Sequence, residues 1–527
     1  MIYLKKIVSL VSFVSLLFFA VSPVTASAQN ELTGKLKPPG ESFTPGDWFL
    51  GSTPPNLDPN KPPIVFVQGK NGSSTSWYGE TEYHGVNDMY TKAYEAGYQT
   101  VFVQLYDAAG NGSSSQYANG ELLASLLQDI SQHFNGKKVN IIAHSKGGPD
   151  TQAALIHYGA HQYVGRVFTL GSPHHGSHLA DLAYSWWAGW LGTLLGQKDD
   201  GTYSLQVGEM AHFRSLTDNH SNALKNKYYT VAGTNKGPAM SALWMGGQYL
   251  SSHGSNDGLV NEWSTLLPYG NHLFTDSAID HDRIRMGSAV FSRIEPQLRT
   301  ASIAGVSMKS KAAIDKEQVI STEESYYVHG GQLLQNQTVS NRFFVNDETL
   351  EHVNVLTASA IDHIKMISPS GKVYQSIADI SGEETSFFNG AAIHSFKNIN
   401  TEQGEWQIDM NTNEQQNAYL LTVQYSEHSP IKMDMVGMAK GNSAAFSITA
   451  SQTLKNLSFD IHLTDESGKV YSTPSSIQEV NQAHFIGQLP AVSNSGVYNV
   501  TIDIKGQTNK GAPFNRTIIR SVYIEKP

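Results

Sequence analysis

The chain of 527 residues contains no cysteine, and only 16% of its residues are Asp, Glu, Lys or Arg. The absence of cysteine excludes disulfide frameworks, thiolate zinc sites and cysteine nucleophiles. The formal net charge of −10 argues against a general nucleic-acid binder. Because 40% of the residues are hydrophobic, including 24 Tyr and 21 Phe, the chain is not disordered throughout. A hydroxyl nucleophile therefore remains available to a chain of about three domains.

The first 28 residues have the pattern of a signal peptide. Lys5 and Lys6 precede an uncharged apolar run at residues 7–21, and Ala26-Ser27-Ala28 provides a small-residue cleavage site before Gln29. The run is shorter than the ~20 residues of a spanning helix, which is the alternative interpretation. No later run is long and apolar enough to span a membrane. We expect a secreted, extracellular protein without a stable transmembrane anchor.

The mature chain divides by composition. Eight of the 20 prolines lie between residues 38 and 63, which predicts an extended N-terminal arm over residues 29–60. Short apolar runs then alternate with helical stripes over residues 61–300, as in a mostly parallel sheet covered by helices on both faces. A polar linker is predicted over residues 301–325. Residues 61–300 therefore have the pattern of an α/β domain.

The remainder is rich in Asn, Ser and Thr and contains a repeat. Ser370-Gly371-Lys372-Val373-Tyr374 recurs as Ser467-Gly468-Lys469-Val470-Tyr471, and a Gly-initiated strand follows each copy, at Gly404 and at Gly496. Chance similarity between two β-rich segments is the alternative. We predict two all-β sandwiches, over residues 326–428 and 429–527.

The strongest local motif is Ala143-His144-Ser145-Lys146-Gly147-Gly148, which follows an apolar strand and precedes a helix start that contains Pro149. A strand-to-helix turn that exposes a serine leaves little room for side chains two residues to either side, and Ala143 and Gly147 meet that requirement. The motif alone arises by chance, but the strand before it and the helix after it favour Ser145 as a nucleophile over an ordinary turn serine.

A serine nucleophile needs a base and a carboxylate that orients the base. Asp257 lies in a turn after a predicted strand at residues 228–232, and His281 precedes the last amphipathic helical stripe. Two backbone N–H groups should hold the developing oxyanion, one from Lys146 and one from Lys70 in the loop after the first strand. The lysine side chains are then free to face solvent. The alternatives are His272 as base and Asp276 or Asp280 as acid.

Together these segments resemble the secreted bacterial triacylglycerol lipases of the α/β-hydrolase superfamily. The resemblance covers roughly residues 60–300 and rests on the Ser145 motif, on residues 170–177 (Leu-Gly-Ser-Pro-His-His-Gly-Ser), on residues 256–260 (Asn-Asp-Gly-Leu-Val) and on His281. In that family these segments hold, in chain order, the nucleophile, a structural loop, the triad acid and the triad base. The early loop departs from the pattern, because many such lipases have His-Gly where this chain has Gln68-Gly69.

An uncharged segment at residues 182–196 contains three of the eight tryptophans. It is too short to span a bilayer and unusually apolar for a surface helix. The resemblance places a mobile lid at this position, and a plain core helix is the alternative. The residues expected to line the lid or the acyl-chain site are Trp186, Trp187, Trp190, Leu191 and Leu194.

A metal site is not expected. His174, His175 and His178 are close in sequence, but no carboxylate lies at a convincing ligand spacing. Some related lipases bind structural calcium through an aspartate two residues after the triad histidine, where this chain has Arg283. Structural calcium is therefore unsupported, and no cofactor is required.

We predict a secreted serine carboxylester hydrolase, a triacylglycerol lipase that acts at a lipid–water interface and releases fatty acids through an acyl-enzyme. An extracellular polyester or polyhydroxyalkanoate depolymerase is the alternative with the same fold. A catalytically inactive surface-binding or adhesion protein is the alternative from another class. No nucleic-acid partner is expected.

Overall fold

The computed structural model describes residues 38–526 except for gaps at 41, 111, 196–197, 305–318, 324, 362, 381–389, 427–429, 442–443, 472–475 and 482. The predicted signal peptide and the first residues of the N-terminal arm lie outside the described residues. Among the described helices, none combines the length and apolar character needed to cross a bilayer.

The first sheet has seven strands in the spatial order β1-β3-β2-β4-β5-β6-β7. Strands β2 to β7 pair in parallel, and β1 from the proline-rich arm adds an antiparallel edge. Their bounds are β1 Trp48–Leu50, β2 Ile64–Val67, β3 Thr100–Val103, β4 Val139–His144, β5 Val164–Leu170, β6 Lys227–Gly233 and β7 Asn271–Asp276. Every residue of β2 to β5 is buried, which explains their continuous apolar sequences.

Helices cover both faces of this sheet. Val65 and Val67 of β2 pack in one hydrophobic cluster with Leu123 and Ile130 of a long helix. On the opposite face Phe66 contacts Trp77, with ring centroids 4.9 Å apart. The α-helices are Met89–Glu95, Gln116–His133, Gly147–Gln152 with a π-helical continuation Ala153–His157, His178–Tyr184, Gly189–Leu194, Asp200–Ser204, Val207–Thr217, Ala242–Leu250 and Gly287–Leu298. The 3-10 helices are Ser74–Trp77, Tyr106–Ala109, Ala160–Gln162, Ser251–His253, Glu262–Thr265 and Arg283–Arg285.

Three sheets follow, with β sandwiches as their architecture. An eight-stranded sheet has the order β10-β15-β12-β13-β14-β11-β16-β9, and two five-stranded sheets have the orders β22-β23-β19-β17-β8 and β18-β25-β24-β20-β21. Almost all of their pairs are antiparallel, the exception being β18 with β25. Their bounds are β8 Val319–Glu323, β9 Tyr326–Leu333, β10 Val339–Val345, β11 Leu350–Thr357, β12 His363–Ile367, β13 Val373–Ile380, β14 Ala392–Phe396, β15 Gly404–Asn411, β16 Asn417–Tyr425, β17 Ile431–Val436, β18 Met438–Lys440, β19 Ala445–Ala450, β20 Leu454–Thr464, β21 Val470–Tyr471, β22 Ser476–Asn481, β23 His484–Gln488, β24 Gly496–Thr508 and β25 Pro513–Glu525.

One strand departs from the predicted division of the chain. Strand β8 lies at the end of the segment predicted as a linker over residues 301–325, and it pairs antiparallel with β17. Strand β8 belongs to the five-stranded sheet that contains β17, yet it precedes all strands of the eight-stranded sheet in sequence. The boundary predicted at residue 428 stays a prediction.

The sequence repeat forms the same turn twice. In the first copy Gly371 donates its N–H to the carbonyl of Ser368, and in the second Gly468 donates to Asp465. Both glycines adopt left-handed backbone, with φ of 85° and 80°. The lysine that follows lies over a tyrosine ring in each copy, Lys372 at 4.6 Å and Lys469 at 4.7 Å from the ring centroid. The local similarity in sequence thus corresponds to a similarity in structure.

The β-rich region packs against the α/β region, and one hydrophobic cluster contains residues of both. Its members from the α/β region include Leu179, Leu191 and Leu243, and those from the β-rich region include Val328 and Leu420. We call residues 319–526 the tail. The α/β region and the tail therefore share a core at this contact.

Candidate active site

Ser145 lies in a strained turn between β4 and the helix Gly147–Gln152. Its φ is +52°, a left-handed conformation that is costly for a residue with a side chain. A Cβ added at Gly147 would lie 2.4 Å from the carbonyl oxygen of Gln68, and one at Gly148 would lie 2.3 Å from Oγ of Ser172. Both glycines are therefore required by close approach, and for Gly147 the tight turn around Ser145 predicts this.

The three residues expected to act together are connected by hydrogen bonds. His281 Nδ1 donates to Oδ2 of Asp257 at 2.8 Å, and His281 Nε2 accepts from Oγ of Ser145 at 3.0 Å. Ser145 is 9% exposed, His281 2% and Asp257 fully buried. This geometry can transfer the hydroxyl proton to imidazole while the carboxylate holds the required tautomer.

Asp257 has two functions in the structure. Its Oδ1 accepts from the N–H groups of Leu259 and Val260, at 3.1 and 2.8 Å, while Oδ2 faces His281. The turn hydrogen bonds to Oδ1 therefore leave Oδ2 directed at His281. The backbone N–H of His281 also donates to the carbonyl of Asp257 at 2.8 Å.

The alternative base and acids bond to partners other than Ser145 and His281 in the hydrogen bonds and ion pairs of the described residues. His272 lies in β7 and bonds to Thr230, with 3.0 Å between Nδ1 and the hydroxyl oxygen. Asp276 binds Arg293 with a contact of 2.6 Å, and Asp280 binds His84 at 2.8 Å.

His144 contacts His281, the expected base, through a hydrogen bond and through its ring. Its Nε2 donates to the carbonyl oxygen of His281 at 3.0 Å, and the two rings have centroids 4.8 Å apart. Burial lowers the pKa of His144 well below its usual value, and the neighbouring His281 lowers it further. A neutral His144 at this position avoids a second positive charge beside the imidazole that must accept a proton.

The lysine side chains beside the site are buried, contrary to the expectation that they face solvent. Lys146 is fully buried, and its ammonium lies 2.9 Å from Oδ1 of Asp150. Burial lowers the pKa of Lys146, but the carboxylates of Asp107 and Asp150 outweigh burial and raise it. Lys70 is 5% exposed, and its ammonium lies 3.4 Å from Asp199. Burial lowers the pKa of Lys70, and Asp199 opposes that shift.

The backbone amides of Lys70 and Lys146 belong to two segments that approach each other at the nucleophile turn. Lys146 is the residue before the helix Gly147–Gln152, and Lys70 lies two residues after Gln68, whose carbonyl oxygen Gly147 approaches. Neither amide donates to a backbone carbonyl in the turns and loops of the described residues. Neither N–H group is therefore committed to a backbone acceptor there, which keeps both as candidate oxyanion donors.

The apolar segment expected to form a lid packs against the tail. Trp187 Nε1 donates to both carboxylate oxygens of Asp503, at 3.1 Å each, and its ring stacks on His329 with centroids 4.1 Å apart. The ring of Trp186 stacks on His462 at 4.9 Å. Leu191 is fully buried, whereas Trp190 and Leu194 are 52% and 44% exposed. The segment is therefore divided between a face that contacts the tail and a face that meets solvent.

The neighbouring histidines bond to protein groups. His174 donates from Nδ1 to Oε1 of Gln152 at 2.9 Å, and its Nε2 accepts from the hydroxyl of Thr169 at 3.1 Å. His178 pairs with Asp181, with 2.9 Å between Nδ1 and Oδ2. Within the described residues, no group of three or more His, Asp or Glu side chains is arranged to hold a metal ion.

Sequence reasoning missed Asp107 and Asp199 beside the site. Asp107 follows β3 and Asp199 follows the apolar segment, and neither belongs to the motifs around Ser145, Asp257 or His281. The two lysines at positions 70 and 146 would require carboxylate partners once buried, but no pattern near them in sequence identifies Asp107 or Asp199.

Comparisons with known proteins identify the fold and the family of the chain. A family model described as the alpha/beta hydrolase fold matches residues 62–266. The triacylglycerol lipase of Vibrio cholerae serotype O1 is 32% identical over 123 residues, which span 23% of this chain and 35% of that protein. The crystal structure of Bacillus licheniformis lipase BlEst2 in its propeptide form superposes with a TM-score of 0.73 at 35% identity, covering 92% of this chain and 98% of that one. The mature form of that lipase aligns at 49% identity over 49% of this chain and 100% of that chain, with a TM-score of 0.45. The chain belongs to the lipases of the α/β-hydrolase fold.

Proposed function

We propose that the protein is a secreted triacylglycerol lipase in which Ser145 is the nucleophile, His281 the general base and Asp257 the residue that orients the base. The observation that carries this proposal is the chain of hydrogen bonds from Asp257 through His281 to the hydroxyl of a strained, buried serine. A serine held only by a turn would have no need of a base and a buried carboxylate in line with it.

In the proposed reaction, His281 takes the proton of Ser145 as the hydroxyl oxygen attacks the ester carbonyl carbon. The carbonyl oxygen becomes an oxyanion, held by the N–H groups of Lys70 and Lys146. His281 then protonates the departing glycerol oxygen, which leaves an acyl-enzyme on Ser145. Water that gives its proton to His281 then attacks the acyl-enzyme, and His281 returns that proton to the Ser145 oxygen as the fatty acid leaves.

Long acyl chains are the proposed substrate class because of the apolar segment at residues 182–196. Trp190 and Leu194 present apolar surface to solvent, and Leu191 reaches into the core shared with the tail. A lid that opens on lipid requires an apolar face of this kind. The sequence of the N-terminal 28 residues supports export, and lipid at an interface is the proposed partner.

The tail is proposed to act as a propeptide that covers the lid segment. The lipase that superposes on 92% of this chain, the propeptide form of Bacillus licheniformis BlEst2, is a lipase with its propeptide present. In this chain an added Cβ at Gly330 would lie 2.1 Å from the carbonyl oxygen of Trp187, so β9 lies directly on the lid backbone. With the tail in place, the movement that would admit a triacylglycerol to a serine only 9% exposed is opposed.

The test of the nucleophile compares the wild-type chain with Ser145→Ala. We expect the variant to lose turnover of p-nitrophenyl butyrate and labelling by a fluorophosphonate while keeping its circular dichroism spectrum. Ser288→Ala, at an exposed position on the last helix, is the matched control. Activity of the Ser145→Ala variant above a few per cent of wild type would refute the assignment.

The substrate class is tested with tributyrin, triolein and a polyester film. Rates on the two glycerides that exceed the rate of film degradation support a lipase, and the reverse result supports the depolymerase alternative. A wild-type chain that a fluorophosphonate does not label would support the inactive surface-binding alternative.

The role of the tail is tested by a protease site introduced between residues 305 and 318 and cut after folding. Release of the tail should increase triolein hydrolysis, and an unchanged rate after release would refute the propeptide role.

A further inference from the structure

Asp107 is a buried carboxylate that contacts elements on both sides of the nucleophile. It lies in the 3-10 helix Tyr106–Ala109 and is 2% exposed. Its Oδ1 accepts from the backbone N–H of Asn71 at 3.1 Å, and its Oδ2 lies 3.8 Å from the ammonium of Lys146. One side chain therefore contacts the residue after Lys70 and the side chain of Lys146.

The contact with Asn71 fixes the central peptide of a tight turn. Gly72 donates its N–H to the carbonyl of Gly69 at 3.1 Å, which places Lys70 and Asn71 at the two central positions. Asn71 has a φ of +54°, and a type II turn requires a positive φ at that position. Type I and type II turns differ by a flip of the central peptide, whose N–H belongs to Asn71. A bond from that N–H to a buried carboxylate therefore selects one form.

The contact of Asp107 with Lys146 helps to hold the Lys146 side chain, which follows Ser145 in the nucleophile turn. The ammonium is held by both oxygens of Asp150, at 2.9 and 3.0 Å, and by the charge of Asp107. The side-chain amide of Asn119 donates to Asp107 at 2.5 Å and to Asp150 at 2.9 Å, which joins the two carboxylates. A buried ammonium without such partners would be strongly unfavourable, so this set of bonds holds the Lys146 side chain in one position.

A third connection leads to the end of the apolar segment. Ser113 donates from its hydroxyl to Oδ1 of Asp107 and from its backbone N–H to Asp199 at 3.0 Å. Asp199 is the partner of the Lys70 ammonium. The turn that carries Lys70 is thus held from both its backbone and its side chain by groups connected through Asp107.

We propose that Asp107 is a positioning residue of the hydrolytic reaction, which holds the backbone N–H groups of Lys70 and Lys146 in register for the oxyanion. The inference rests on the proposed function, because it takes these two amides as the oxyanion donors. Donors of this kind act through preorganised geometry, and a displacement of about 1 Å can cost about 100-fold in rate. Asp107 itself touches neither substrate nor the reacting atoms.

The test is Asp107→Asn in the full chain. The amide can keep one acceptor toward Asn71, but its NH₂ group then faces the Lys146 ammonium and the Asn119 amide. We expect kcat for p-nitrophenyl butyrate to fall about 10- to 100-fold with KM within about twofold, because the loss acts on the transition state. The inhibition constant of phenylboronic acid, which forms a tetrahedral anion on serine, should rise by a similar factor. Asp276→Asn, in an exposed pair with Arg293, is the matched control and should change neither.

The outcomes separate this inference from the proposed function. Activity of Ser145→Ala above a few per cent of wild type refutes the proposed function. An inactive Ser145→Ala beside an Asp107→Asn variant with unchanged kcat and inhibition refutes the positioning role alone. Fluorophosphonate titration counts the active molecules of the Asp107→Asn variant. A smaller active fraction, with kcat per active molecule and the inhibition constant unchanged, shows a purely structural loss and also refutes the positioning role. If Asp107→Asn does not fold, the Ser113→Ala variant tests the positioning role instead. It keeps the Asp107 carboxylate and removes only the hydrogen bond from the Ser113 hydroxyl to Oδ1. A two- to tenfold parallel change in kcat and inhibition supports positioning, and no change refutes it.

Discussion

Replacement of Asp257 by Asn tests the geometry of the proposed triad most directly. The two backbone N–H groups of Leu259 and Val260 hold Oδ1, so the amide oxygen of Asn must occupy that position. The NH₂ group then takes the place of Oδ2 and faces His281 Nδ1 at 2.8 Å. Two donors cannot share this contact, so His281 must carry its proton on Nε2 instead. It then can no longer accept the proton of Ser145.

The expected loss follows from that tautomer change. The variant keeps the size and the turn bonds of the side chain, so its thermal unfolding should stay close to wild type. We expect kcat for p-nitrophenyl butyrate to fall by about 10³- to 10⁴-fold, or about 4–5.5 kcal/mol in activation free energy. Steady-state kinetics with Asp276→Asn as control measures this loss. Asp257→Asn with activity within tenfold of wild type would show that Asp257 does not orient the base.

Three further predictions concern packing and the tail. Gly147→Ala should lower both the melting temperature and kcat, measured by circular dichroism and esterase assay, because its Cβ would lie 2.4 Å from the Gln68 carbonyl oxygen; unchanged values would contradict the required close approach. Trp187→Phe removes the indole N–H bond to Asp503 and should weaken the tail contact by about 1–2 kcal/mol, seen as faster hydrogen exchange in β24; exchange equal to wild type would show that the bond contributes nothing. Burial lowers the pKa of His329 to about 4, below the value of about 6.5 in a released chain. Neutral His329 therefore stabilises the contact fully above about pH 6.5 and progressively less as the pH falls toward 4. After division by the intrinsic exchange rate at each pH, the protection factors of the β9 amides should be smaller at pH 4.5 than at pH 7.5, and equal protection factors would refute the effect.

The sheet and the order of the site residues could be predicted because each depends on local sequence. Apolar runs define β2 to β5, and the small residues around Ser145 follow from the sterics of one turn. Asp257 was predicted from its place in a turn after a strand, and His281 from its place before the last helical stripe. The structure connects Asp257 to His281 and His281 to the serine hydroxyl.

What could not be predicted depends on partners that are distant in sequence. The burial of Lys70 is matched by Asp199, more than 100 residues later, and no local pattern indicates that pair. Strand β8 pairs with β17, which lies more than 100 residues further on. The contact of Trp187 with Asp503 joins residues 316 positions apart. Local composition indicated an apolar segment but could not identify the tail as the surface that covers it.

The hydrophobic cluster that contains Leu191, Leu243, Val328 and Leu420 has a thermodynamic consequence. Side chains in one contiguous core lose their partners together, so the free energy that holds the tail is also free energy that holds the helices beneath it. The α/β region and the tail should therefore unfold as one cooperative unit, with a single calorimetric transition. In a chain without a disulfide, this shared core makes the stability of the hydrolase region depend on a segment that carries none of its proposed catalytic residues.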